Sequence, residues 1–236
     1  MRLGLRAVGS ACYQVFSHLT MSFGGNVLAM LLSLPIVLVL IVAAFFAHSL
    51  SVVPLGVAVL VGALPNPACM GLQKLARELA HGEAPEFGEQ WQALRTYWRA
   101  GLRAWLIAAA TTIVLVLNAA FYARQASNPD SGLHAVAAPL FLVWALLLLF
   151  WLGIHLYVAP LLLAQEEPRA LLAYRNAAVI MLSRPVVSWT VIVIWLGALV
   201  FTSATALATI IGLALAASIQ QNTFRRLLPN ALPAQE

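Results

Sequence analysis

Three uncharged apolar runs restrict what this chain can fold into. Residues 26–47, 135–165 and 186–219 number twenty-two, thirty-one and thirty-four, and none contains Asp, Glu, Lys or Arg. About 20 apolar residues carry a helix across roughly 30 Å of hydrocarbon. The runs are continuous rather than alternating, which selects helices over a barrel. Composition points the same way, with 9% charged residues against roughly 25% in soluble domains. The eight acids (Glu78, Glu83, Glu86, Glu89, Asp130, Glu166, Glu167 and Glu236) all fall outside the long runs. The expected fold class is all-α, a polytopic helical membrane protein that contacts the lipid bilayer.

Basic residues then set the topology. Lys74, Arg77, Arg95, Arg99 and Arg103 cluster between two apolar runs, and such a cluster marks the cytoplasmic side. The net charge of +5 is therefore a topology signal, and no nucleic-acid partner is expected. Six spans with both termini inside place twelve of the thirteen Lys/Arg on one side and leave Arg124 outside. A multi-pass cell-membrane location is expected.

In chain order, residues 1–25 read as an interfacial amphipathic segment. Leu5, Val8, Cys12, Val15, Phe16, Leu19 and Phe23 recur at helical spacing, and Gly24-Gly25 is expected to end the helix. Residues 26–71 form the first hairpin, with Pro35 kinking its first span, a turn at 48–51 and Pro54 in the first turn of the second span. Residues 72–101 hold two amphipathic helices. Leu72, Leu75, Ala76 and Leu79 lie on one face of the first, with Lys74, Arg77, Glu78 and His81 opposite, and Gly82 caps it. The second opens at Pro85 and aligns Phe87, Trp91, Leu94 and Trp98, beside a four-residue stripe of Arg95, Arg99 and Arg103. Trp91, Arg95, Trp98, Arg99 and Arg103 are the expected docking or anchoring residues.

Residues 102–165 form the second hairpin, and 135–165 read as one long helix with a weak point at Pro160. Residues 166–185 make another amphipathic helix, which Pro185 ends. Residues 186–219 are too long for one crossing, so a split near Thr202-Ser203 makes 186–220 the third hairpin, with 221–236 a cytoplasmic tail.

Residues 26–37 (NVLAMLLSLPIV), the pattern P-x-P-A-C-x-G-L-x-x-L-A-R-E-L-x-x-G at 65–82, WQALRTYWRAGLRAW at 91–105 and YVAPLLL at 157–163 resemble the YesL-like (DUF624) family of bacterial membrane proteins. An apolar run replaces the family's usual threonine after the first-span proline. The resemblance implies a bacterial inner-membrane protein associated with carbohydrate uptake, and it transfers no catalytic residues.

Chemistry is sparse. No charged residue lies deep in an expected span, which argues against a coupled carrier. The phosphate-loop, zinc-protease and serine-hydrolase motifs are missing from the sequence, and the five histidines are scattered. Cys12 and Cys69 read as reduced thiols. Asn118, His155 and Tyr157 are the polar residues at depth, expected to pack helices or line a ligand path. The expected function is a non-enzymatic accessory or scaffold subunit, without cofactor or metal. Its expected partner is a membrane transporter, another membrane protein or a second copy of the chain. The alternative is an uncoupled channel or small-solute transporter.

Overall fold

From Phe87 to Ala126 the backbone is one helix of forty residues, where the sequence suggested an amphipathic helix followed by a separate span. The computed structural model describes residues 2–31, 67–84, 86–203 and 212–228. The expected Pro35 kink, the turn at 48–51, most of the first hairpin and the end of the chain lie outside the described residues. Within them the regular elements are helical: α1 (Arg2–Ser17), α2 (Leu19–Leu31), α3 (Cys69–His81), α4 (Phe87–Ala126), α5 (His134–Ala164), α6 (Ala170–Ser183), α7 (Pro185–Ser203) and α8 (Leu213–Leu227).

Length and composition make α4 and α5 able to cross a membrane, and α6 with α7 would be a third span if that pair, bent by 109°, counts as one. The described residues are thus helical, with two to three long apolar segments among them that suit a membrane. The bend falls at Arg184, immediately before Pro185. There the proline ring disfavours helical geometry in the preceding residue. α5 is a single helix that runs through Pro160 without ending. That proline has no N–H for the Leu156 carbonyl, a loss neighbouring polar groups can offset.

The chain divides into two compact units. The first comprises Met1–Ser33, Pro65–Ala104 and Gly153–Glu236. At its centre is α8, which packs against α1, α3 and α7. Ala29, Leu72, Leu75, Ala76, Leu79, Ala214 and Ala217 form an apolar cluster here, flanked by Met21 and Leu213. α3 buries the expected leucine face and stops at Gly82, whose φ of 81° is left-handed. Gly82 N–H bonds the Leu79 carbonyl and Glu83 N–H the Glu78 carbonyl, the paired bonds of a Schellman ending.

Glu78 departs from the expected pattern: it is buried at 2% exposure instead of facing solvent. α3 is covered on more than its leucine side, because α4 comes in closely at Gly71. A Cβ there would lie 2.7 Å from the Gln90 carbonyl oxygen.

The first helices also differ from expectation. Gly24-Gly25 does not end a helix; it lies within α2, and the irregular residue is His18. Backbone bonds from His18 N to Gln14 O and from Ser22 N to His18 O carry the ladder past it. Gly25 instead permits close packing, since a Cβ would come within 3.0 Å of Leu72 and 3.1 Å of the Gln90 side chain. On α1 the buried ridge is Ala7, Ala11 and Val15, small residues that admit a neighbouring helix, while Leu5, Tyr13 and Phe16 face outward.

The second unit comprises Leu34–Leu64 and Trp105–Leu152. Its described part is the C-terminal half of α4, a polar turn and most of α5. Ala108 and Leu152 are buried together, with Trp105 and Leu148 against them, and Trp151 Nε1 donates to Thr112 Oγ1 at 3.1 Å. In the turn, Asp130 N–H bonds the Asn128 side chain at 3.2 Å, a local turn-forming contact. Leu106, Val114, Leu117, Phe121, Leu142 and Leu146 are exposed. Apolar surface on that scale suits lipid rather than water.

Candidate functional site

Polar side chains gather on α8, where the residue sequence SIQQNTF at 218–224 turns an apolar helix hydrophilic. Ser218, Gln220, Gln221, Asn222 and Thr223 are nevertheless buried. Burial of amides is tolerable only when their donors and acceptors find partners, and α1, α3 and α5 supply them. Gln73 Nε2 on α3 donates to Gln220 Oε1 at 2.5 Å, and Gln221 Nε2 donates to Gln73 Oε1 at 3.0 Å. Gln220 Nε2 reaches the His155 carbonyl of α5 at 3.4 Å. Asn222 Nδ2 donates to Gln14 Oε1 at 2.7 Å, and Gln14 Nε2 donates to the Leu79 carbonyl at 2.7 Å.

Helix ends are closed by side chains from other helices. Asn26 Oδ1 accepts from Leu213 N at 2.9 Å and Ala214 N at 3.2 Å, satisfying N–H groups that open α8. Arg77 donates to the Leu163 carbonyl at the end of α5, 2.6 Å away. Arg225 donates to the Ala80 carbonyl at the end of α3. Both guanidiniums thus sit at the negative ends of helix dipoles.

A buried carboxyl adjoins this belt. Glu78 Oε1 lies 2.7 Å from Lys74 Nζ, one turn earlier on α3. Burial pushes its pKa up from 4.5 to about 7, the attraction of Lys74 opposing the rise and the nearby Glu89 carboxyl adding to it. Glu89 and Lys74 also line an open surface recess with Gln92, Thr96 and Tyr97.

Of the sequence-selected polar residues, His155 and Tyr157 are buried in the first unit. The Tyr174 hydroxyl donates to the Ala104 carbonyl at 2.9 Å and lies 3.3 Å from His155 Nε2. Its one proton being engaged, it accepts from an imidazole protonated at Nε2. The two rings meet edge to face at 5.6 Å. Tyr157 pairs instead with Ser188, hydroxyl to hydroxyl at 2.8 Å. Asn118 belongs to the second unit, where its amide donates to the Val114 carbonyl of its own helix at 2.8 Å.

Trp91, Arg95, Trp98, Arg99 and Arg103 are all exposed on the N-terminal part of α4. The Arg95 guanidinium stacks 5.2 Å from the centre of the Trp91 ring. Leu94, expected alongside the tryptophans, turns inward and is buried.

The glutamine–asparagine belt was not among the sequence-selected residues. Its one sequence signal is the polar run at the end of an apolar block, which reads equally well as the start of a tail. Cys12 and Cys69 are half-buried thiols. Among the described residues, no group of three or more His, Cys, Asp or Glu is placed to hold a metal ion. The belt's groups are neutral amides and hydroxyls, suited to hydrogen bonding and without a strong nucleophile or base of their own. No protein-family model, curated protein or solved structure matches the chain.

Proposed function

We propose that this protein is a non-enzymatic accessory or scaffold subunit of the bacterial inner membrane, joined to a transporter or another membrane protein through its outward-facing amphipathic helices. Six spans with both termini cytoplasmic fit the basic residues best, and the YesL-like resemblance adds an association with carbohydrate uptake. One contrast carries the reading. In the first unit the buried amides Gln73, Gln220, Gln221 and Asn222 and the half-buried Gln14 bond to one another and to helix backbones. The outward faces meanwhile keep large side chains such as Phe16, Leu171, Val179 and Leu182. Polar groups engaged in joining helices rigidify a scaffold. Exposed apolar ridges are where membranes and partners attach.

Co-purification after mild solubilisation, with crosslinking in the intact membrane, tests the assignment. A stoichiometric membrane-protein partner is the expected result, and a chain that emerges alone from every gentle detergent would overturn it. Topology is tested separately by labelling introduced cysteines. Positions next to Gly82 and after Phe224 should react from the same, cytoplasmic side.

A further inference from the structure

We infer that the α4 face formed by Trp91, Arg95, Trp98, Arg99 and Arg103 binds the headgroups of anionic phospholipids. The inference rests on α4 entering a membrane, as proposed above, and is independent of any protein partner. At 1.5 Å per residue α4 is about 60 Å long, roughly twice the hydrocarbon thickness. Its uncharged stretch lies C-terminal to Arg103, so the N-terminal part stands outside the hydrocarbon, at headgroup level or beyond.

That part of the helix is two-sided. Gln90, Ala93, Leu94, Ala100 and Ala104 are buried against the protein. Trp91 and Trp98 remain 42% and 46% exposed, and Arg95, Arg99 and Arg103 are exposed beside them. The arginines follow one another at about 6 Å along the axis, four residues apart. The Lys74–Glu78 and Arg169–Glu167 ion pairs do not involve the stripe.

Planar guanidiniums bind phosphate through paired N–H donors. Tryptophan settles where apolar and polar layers meet. Stacking on Trp91 holds Arg95 against the helix surface. Continuity of the stripe with an apolar segment of the same helix favours a lipid headgroup over an acidic protein.

The test is native mass spectrometry of the full chain in mixed micelles with equal phosphatidylglycerol and phosphatidylcholine. Phosphatidylglycerol should be retained in preference. Each Arg→Gln substitution in the stripe should lower that preference about fivefold, and R95Q/R99Q/R103Q together about a hundredfold, the effect expected of cations near an anionic surface. The preference of the unaltered chain should also fall between 0.1 and 1 M salt, as the screening length drops from about 10 to about 3 Å.

Arg124→Gln, at the other end of α4, should leave it unchanged. An unaltered ratio in the triple variant, or an equal loss with Arg124→Gln, would overturn the inference. So would displacement of the lipid by inorganic phosphate. Retention of the lipid ratio with loss of a co-purifying protein would assign the face to a protein instead. If the triple variant fails to fold, the salt series on the unaltered chain and an R95K/R99K/R103K variant, which should keep most of the preference, still decide.

Discussion

Replacing Glu78 by glutamine should stabilise the protein above neutral pH and do little in acid. The buried carboxyl has its pKa raised from 4.5 to about 7, chiefly by burial. The folded state therefore holds this proton more tightly than the unfolded chain, and stability falls as pH rises between those two values. Above pH 7 the penalty is fully developed. At 1.36 kcal/mol per pKa unit it amounts to about 3 kcal/mol. Glutamine keeps the shape without the charge. Lys74, about a third exposed at 35%, can turn its ammonium to water once its partner is neutral.

The variant should exceed the parent by about 3 kcal/mol at pH 8 and by about 1 kcal/mol at pH 5. Unfolding midpoints in detergent micelles, followed by tryptophan fluorescence at both pH values, measure that gap. A gap that is equal at the two pH values, or wider at pH 5, would refute the account of Glu78 as a carboxyl held against its charge.

Other substitutions probe the packing. Gly71→Ala sets a methyl 2.7 Å from the Gln90 carbonyl oxygen and should cost about 1–3 kcal/mol, seen as a lower unfolding midpoint. Asn26→Ala removes the oxygen that caps α8 and should cost about 1 kcal/mol, with faster amide exchange at Leu213 and Ala214. Gln73→Leu strands the buried Gln220 oxygen and a Gln221 N–H, at about 1–3 kcal/mol for each stranded group. Adding Gln220→Leu and Gln221→Leu should recover part of that loss, because replacing both partners removes the stranded groups.

Local features of the chain were legible from its residues. The apolar spacing of Leu72, Leu75, Ala76 and Leu79, the glycine at 82 and the proline at 185 each act within one or two turns. The helix, cap and bend they imply are present. Gly25 departs from expectation because a glycine that loosens a chain and one that admits a neighbour look the same in sequence. Its role depends on Leu72 and Gln90, which reach it from distant parts of the chain.

Glu78 and the α8 amides were harder still. Hydropathy sends polar residues outward, yet an amide carries both donor and acceptor and can be buried opposite a complementary one. Gln73 and Gln220 are 147 residues apart, so no local pattern announces their pairing. The exposed tryptophans and arginines were legible because an outward face needs no distant partner.

Synthesis of the chain meets a constraint in the placement of α8. Gln14, Asn26 and Gln73 each bond to the stretch from Leu213 to Asn222. Those amides must wait, without these partners, until the stretch from Leu213 to Asn222 has left the ribosome, at least 147 residues after Gln73. A product truncated before residue 213 would carry the runs at 26–47 and 135–165 and still lack the helix that packs at the centre of its first unit. In that product Gln14, Asn26 and Gln73 would lack the bonds that α8 supplies.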